Sequence, residues 1–253
     1  MSLGAQGTEQ HTSGHGGSPS IAVPDYWWYE ARTRLLEEAL GGFVEPGGRV
    51  LDVGSADGPS ASWFRERAAA TAALDVDPRG LGADGVCGSA TSLPFADGVF
   101  DAVSAFDVVE HCDPESLALR EMRRVLRPGG VLVLSVPAYQ WAWTDHDVAN
   151  GHYRRYTRER IVDALTAAGF TVDRATYAFT SVFPMFVAER LARRVRDRGR
   201  TAEAADIATV PAVPRPLHHI LMGLCRLDER LLAATDLPFG SSVLVAARPV
   251  SRG

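Results

Sequence analysis

At 253 residues, 46% hydrophobic and 23% charged, the chain can bury a real core as one large domain or two small ones. Its 26 basic and 31 acidic residues leave a net charge of −5, which excludes the basic footprint of a nucleic-acid binder. Three cysteines (Cys87, Cys112, Cys225), far apart and without a CxxC, exclude a disulfide framework and a zinc ribbon, and point to a reducing, cytoplasmic setting.

Residues 1–20 are Gly/Ser-rich and polar, with no hydrophobic middle, and are expected to be a disordered tail before a domain filling 21–253. Asp25 is placed to N-cap a helix through YWWYEARTRLLEEAL, which stops at Gly41–Gly42. RVLDVG (49–54) reads as a short buried strand ending in a glycine turn, and PSASWFRERAAA (59–70) as a helix. TAALDVD (71–77), DGVCGSA (84–90) and VFDAVSAFDVV (99–109) hold the next three strands. PESLALREMRRVL (114–126) is a helix stopped by Pro128-Gly129-Gly130, and VLVLSVP (131–137) is the fifth strand. A helix (158–170), a strand (171–179) and a β-rich run (241–250) follow, with a mostly helical insertion over about 181–238. Strands alternating with helices predict an α/β fold around a mostly parallel sheet with helices on both faces. No apolar run reaches the length of a membrane span.

VLDVGSADG (50–58) follows a strand and opens a helix, the context in which glycines let a backbone approach a ligand and a helix N-terminus meets an anionic group. About twenty residues on, Asp75 ends the second strand, where a carboxylate accepts bonds from ribose hydroxyls. A GxGxxG is absent: Gly54 and Gly58 flank Ala56.

This turn resembles the first motif of the class I S-adenosylmethionine-dependent methyltransferases, close to DxGxGxG, with Ala56 in place of the middle glycine. GSATSLPFADGVFDAVSAFDVVEH resembles the same family's LPF, acidic turn, FD-x-V and EH series, and LREMRRVLRPGGVLVLSVP resembles its segment before the fifth strand. The resemblance covers about 25–178 and the last strand. It implies a Rossmann-like sheet of seven mostly parallel strands, an N-terminal lid helix, and the helical insertion before the last strand. It implies S-adenosyl-L-methionine as cofactor, S-adenosyl-L-homocysteine as product, and a small-molecule acceptor methylated on O or N, in specialised or cell-envelope metabolism.

By position, the resemblance gives Asp52 and Gly54 to the methionine end of the cofactor, and Ser55 and Gly58 to the turn. It gives Asp75 to the ribose, Val76, Ser89 and Ala90 to the adenine, and Phe106 to the methionine moiety. Ser89 stands where many relatives carry aspartate. Glu110 and His111 have two readings, contact with the acceptor or a carboxylate anchoring the next loop, and the second is favoured for Glu110.

The acceptor side begins beyond the fifth strand, because ligands of open α/β sheets bind beyond the carboxyl ends of the strands. DHDVANGHYRRYT (145–157) lies there, within a segment resembling H-x-x-x-x-G-H-x-R-x-Y of a bacterial subgroup of the family. His146 and His152, six apart, fall on different helix faces and match neither HxxxH nor HExxH, so no metal is expected. A general base, a substrate-binding histidine and a structural loop all stay open, with His146 and His152 the candidate catalytic residues. Trp28, Arg32, His111 and Tyr156 are the candidate substrate contacts. For the aromatic N-terminal helix, a lid over the ligands and a staple onto the core stand equal.

Within the insertion, Leu217, Ile220, Leu221, Leu224 and Leu231 form an amphipathic pattern. A helical lid packed on the core is favoured over a cap on an apolar substrate or a membrane contact. Two other classes compete for the whole chain. The missing GxGxxG counts against an NAD(P)-dependent oxidoreductase, while Ala56 and Ser89 keep a non-catalytic binding module in view.

Overall fold

The computed structural model describes residues 26–55, 59–82, 85–196 and 213–250. The tail expected over 1–20, Asp25, Ala56 and Gly58 lie outside them. One sheet of seven strands organises the chain: β1 Arg49–Val53, β2 Ala70–Asp75, β3 Val86–Cys87, β4 Phe100–Phe106, β5 Leu126–Pro137, β6 Phe170–Ala178 and β7 Ser242–Pro249. Its order is β3-β2-β1-β4-β5-β7-β6. β7 alone runs against its neighbours, pairing antiparallel with both β5 and β6.

The central strands are apolar on both faces because helices cover both. Val50, Leu51 and Val53 in β1 and Val131 to Leu134 in β5 are buried without alternation. α1 (Trp27–Leu40) buries Ala31, Leu35, Leu36, Ala39 and Leu40, and α3 (Glu115–Val125) buries Ala118, Leu119, Met122 and Val125, each an apolar stripe at helical spacing.

Several boundaries differ from expectation, and pairing explains them. The expected helix over 59–70 is cut to a 3-10 turn (Pro59–Ala61) and the short α2 (Ser62–Glu66). Ala70 pairs with Arg49 in parallel register, so sheet bonding overrides alanine's helix preference. β5 begins at Leu126 and runs through Pro128-Gly129-Gly130, with a register shift opposite Phe100 to Ala102 and Gly129 at φ 79°. The three residues therefore bend a strand instead of ending a helix. α1 is N-capped by Tyr26, with no side-chain cap bond.

β4 stops at Phe106, because Asp107 takes φ 56° and turns the chain into a 3-10 turn, Val109–His111. After β5 the chain forms α4 (Asp145–Ala149), returns through the bridge Ala138–Tyr156, and enters α5 (Arg158–Ala167). The insertion holds α6 (Phe183–Arg196) and α7 (Arg215–Leu232). α7 buries Leu221, Met222, Cys225, Asp228 and Leu232, whereas Leu217, Ile220, Leu224 and Leu231 stay exposed. The expected apolar stripe thus supplies one core residue, Leu221, and the packed face is rotated from it. No described helix is long and apolar enough to cross a membrane.

Candidate active site

Strand order reverses between β1 and β4, so their carboxyl ends diverge and open a crevice. A narrow crevice, open to solvent, lies there, lined by Asp52, Val53, Gly54, Ser55, Ser60, Ala61 and Phe106. Gly54 has φ 76°, and a Cβ on it would sit 2.5 Å from Val108 Cγ2, so both conformation and space demand glycine. The Ser55 hydroxyl is buried in the cleft wall without a hydrogen-bond partner among the described residues. The buried Asp52 carboxylate accepts from Ser104 Oγ at 2.6 Å and faces Arg65 at 3.4 Å, which fixes the floor of the turn.

One strand over, Asp75 ends β2 with Oδ1 accepting from the Asp77 N–H, and Val76 beside it is exposed. Ala90 is buried. The Ser89 hydroxyl meets Thr91 Oγ1 at 2.8 Å and accepts from the Thr91 N–H, which ties it to its own turn. Phe106, buried at the end of β4, lines the cleft and packs against Trp63, ring centroids 6.2 Å apart.

Arg32 does not project toward an acceptor. It is 3% exposed, and its guanidinium donates to Ser135 Oγ and Ser60 Oγ and pairs with Asp107 at 2.9 Å. These bonds join α1 to the ends of β4 and β5 and to the cleft wall. Asp107 keeps its positive φ because its N–H also donates to the Ser135 carbonyl and its carboxylate accepts from the Ser135 hydroxyl. Trp28 stacks on Phe179 at 5.9 Å and on the Arg32 guanidinium at 5.3 Å, a staple of α1 onto the fold. Tyr156 corrects a second expectation. It is fully buried with its hydroxyl donated to Glu115, which removes it from reach of an acceptor.

The histidines divide. His146 is exposed on α4, while His152 comes against His111, ring centroids 4.6 Å apart and planes nearly perpendicular. The Tyr153 N–H donates to the Glu110 carbonyl at 2.8 Å, clamping the loop onto the turn after β4. Asp147, fully buried, organises the loop by accepting from the Thr144 N–H, Arg155 Nε and His152 Nδ1. Burial alone would raise its pKa, but bonds from His152 and Arg155 outweigh that and hold it well below the usual carboxylate range. An ionised Asp147 only accepts, so the His152 ring donates to it from Nδ1–H, and Nε2 is the ring atom left for another partner. The desolvating rim and neighbouring His152 push His111 down to about 4, although part of its ring reaches solvent. Burial, then the Asp107 charge, pushes Glu110 well above its ordinary value.

Sequence reasoning missed Asp107, Ser60, Ser135 and the role of Asp147. The only signal was their polarity: Ser135 stands inside an otherwise apolar strand, Asp147 in a short helix, and Ser60 and Asp107 in turns.

A family profile for a methyltransferase domain matches residues 27–175. The chain belongs to the class I S-adenosylmethionine-dependent methyltransferases. This methyltransferase is 40% identical over 131 residues to an uncharacterized methyltransferase of Mycobacterium sp. (strain KMS), covering 45% of the chain and 52% of that relative. It is 29% identical over 181 residues to a demethylmenaquinone methyltransferase of Mycolicibacterium gilvum, covering 69% and 75%. The chain spans about half the length of the first of these curated relatives. Its fold matches the cyclase SpnF (TM-score 0.55, 24% identity, 94% and 88% covered). It also matches Haemonchus contortus phosphoethanolamine N-methyltransferase 2 in complex with S-adenosyl-L-methionine (TM-score 0.55, 16% identity, 92% and 57% covered).

Proposed function

We propose that the chain transfers the methyl group of S-adenosyl-L-methionine to an oxygen or nitrogen of a small-molecule acceptor. The observation that carries this reading is the cleft at the β1/β4 reversal. A glycine that tolerates no side chain and an orphaned buried serine hydroxyl border it, and a strand-end aspartate stands one strand away. Those residues fit the cofactor: Asp75 would take the ribose hydroxyls, the Gly54–Ser55 turn the methionine end, and exposed Val76 one face of the adenine.

The bound cofactor supplies an activated methyl carbon, and the protein's task is alignment and proton removal. Phe106 and the anchored α1 exclude water on one side. On the other, the turn carrying Glu110 and His111 follows Val108, the residue packed on Gly54, so His152 and its neighbours form the polar wall facing the acceptor. Relatives named demethylmenaquinone methyltransferase add a quinone, with a ring carbon as the methylated atom, as a further candidate acceptor class. The SpnF likeness favours a second reading, a cofactor-binding fold used for other chemistry.

Calorimetry with S-adenosylhomocysteine tests the proposal. Micromolar binding is expected, weakened at least about tenfold in Asp75→Ala through loss of the ribose bonds. No binding by the intact chain would overturn it.

A further inference from the structure

Glu110, His111 and His152 each bring one ligand-type atom to a common point, all three within 4.8 Å of one another. They come from two segments some forty residues apart, held together by the Tyr153–Glu110 backbone bond. Glu110 is the anomaly. Its side chain is completely buried, and neither carboxylate oxygen meets a hydrogen-bond donor of another described residue. A buried carboxylate without a partner is costly, and the neighbouring cations are already engaged, Arg155 with Asp147 and Arg32 with Asp107.

His152 is prepared in a complementary way. Asp147 accepts a hydrogen bond from its Nδ1–H and is itself fixed by Arg155 and Thr144, so the ring is oriented with Nε2 left for another partner. A carboxylate behind an imidazole is the arrangement that supports metal-ligating histidines.

We propose that Glu110, His111 and His152 bind one divalent transition-metal ion. Two neutral imidazoles and one carboxylate suit borderline ions such as Zn²⁺, Mn²⁺, Fe²⁺ and Co²⁺. Bonds of about 2.1 Å bring such ligand atoms somewhat closer than their present spread, and rotation of the half-open His111 ring supplies that movement. Three protein ligands leave coordination positions for water or for a donor atom of the acceptor. An acceptor hydroxyl bound there becomes more acidic and is held in place for methyl transfer. That last role rests on the proposed methyl transfer, whereas ion binding does not.

The test uses the full chain stripped with a chelator, with neither cofactor nor acceptor present. Zn²⁺ is titrated by calorimetry and Co²⁺ by its visible absorption. One ion per chain is expected, with affinity falling at least about tenfold in both Glu110→Gln and His152→Ala and unchanged in His146→Ala. Circular dichroism checks that the variants fold, and His111→Ala, altering a partly exposed ring, replaces any that does not. Absence of saturable binding, or binding undiminished in these variants, overturns the site. S-adenosylhomocysteine titrated into the same stripped protein separates the two ideas. If it binds while neither Zn²⁺ nor Co²⁺ does, the metal site alone fails; if an ion binds while it does not, the methyl-transfer reading alone fails.

Discussion

Arg32 of α1 and Asp107 at the end of β4 pair at 2.9 Å, with the arginine 3% exposed and the aspartate held in a left-handed conformation. The pair fixes the N-terminal helix to the rim of the cleft through Ser60 and Ser135. Arg32→Met keeps the volume but leaves Asp107 and both hydroxyls without their donor. It should lower stability by about 2–4 kcal/mol in urea unfolding, and weaken S-adenosylhomocysteine binding because Ser60 lines the cleft. An unchanged urea midpoint would show that the pair contributes nothing.

Gly54→Ala forces a Cβ to within 2.5 Å of Val108 Cγ2 at φ 76°. Roughly 1–2 kcal/mol of backbone strain adds to the clash. Cofactor-product affinity should drop at least about tenfold. Val108→Ala in the same chain should restore part of it, since the clash is relieved and the strain is not. Equal affinities for the single and double variants would place the effect in the backbone alone.

Asp147 is held below its unfolded value of about 3.9, so its contribution to stability is full above about pH 4 and lost as pH falls through its folded pKa. Asp147→Asn removes the charge that pairs with Arg155 and orients His152. Unfolding free energy should fall by about 2–4 kcal/mol at neutral pH, and the gap to the wild type should narrow below pH 4. A gap constant from pH 7 to pH 3 would contradict this.

Among the cysteines, Cys87 is exposed, while burial pushes Cys112 up to about 11 and Cys225 up to about 12. Under native conditions at pH 8, one thiol per chain should react promptly with a disulfide reagent. Cys87 pairs in register with Asp75, so S-adenosylhomocysteine should slow that reaction. Prompt reaction of all three would show that the core opens readily.

His146→Ala should retain nearly full turnover, because its ring stands exposed on α4 outside the Glu110–His111–His152 group. His152→Ala should lose at least about a hundredfold in kcat, by general-base or metal-ligand loss alike. Equal turnover in the two variants would return the loop to a scaffolding role.

Much of the fold was legible along the chain because its signals are local. Apolar runs bounded by Gly and Pro located the strands, and stripes at helical spacing located α1 and α3. The turn at Gly54 and the acid at Asp75 were visible for the same reason, since a strand, a turn and a helix start are contiguous. Where local preference and pairing disagreed, pairing prevailed: Ala70, at the end of the expected helix, went to the sheet, and α7 buried a different face from its most obvious stripe.

The acceptor side was decided elsewhere. Residue spacing within 145–157 argued against a metal. It was blind to Glu110 and His111, which sequence places forty residues away and the return of the loop over β5 places beside His152. Arg32 and Tyr156 were chosen as substrate contacts by composition and position, yet their partners Asp107 and Glu115 draw both inward. The sequence by itself carried the family resemblance in its motifs, and located the strands and the glycine turn at Gly54, because those signals are contiguous along the chain. Only the tertiary structure decided which polar side chains meet, because that depends on long-range backbone bonds and buried charge pairing that no single segment encodes.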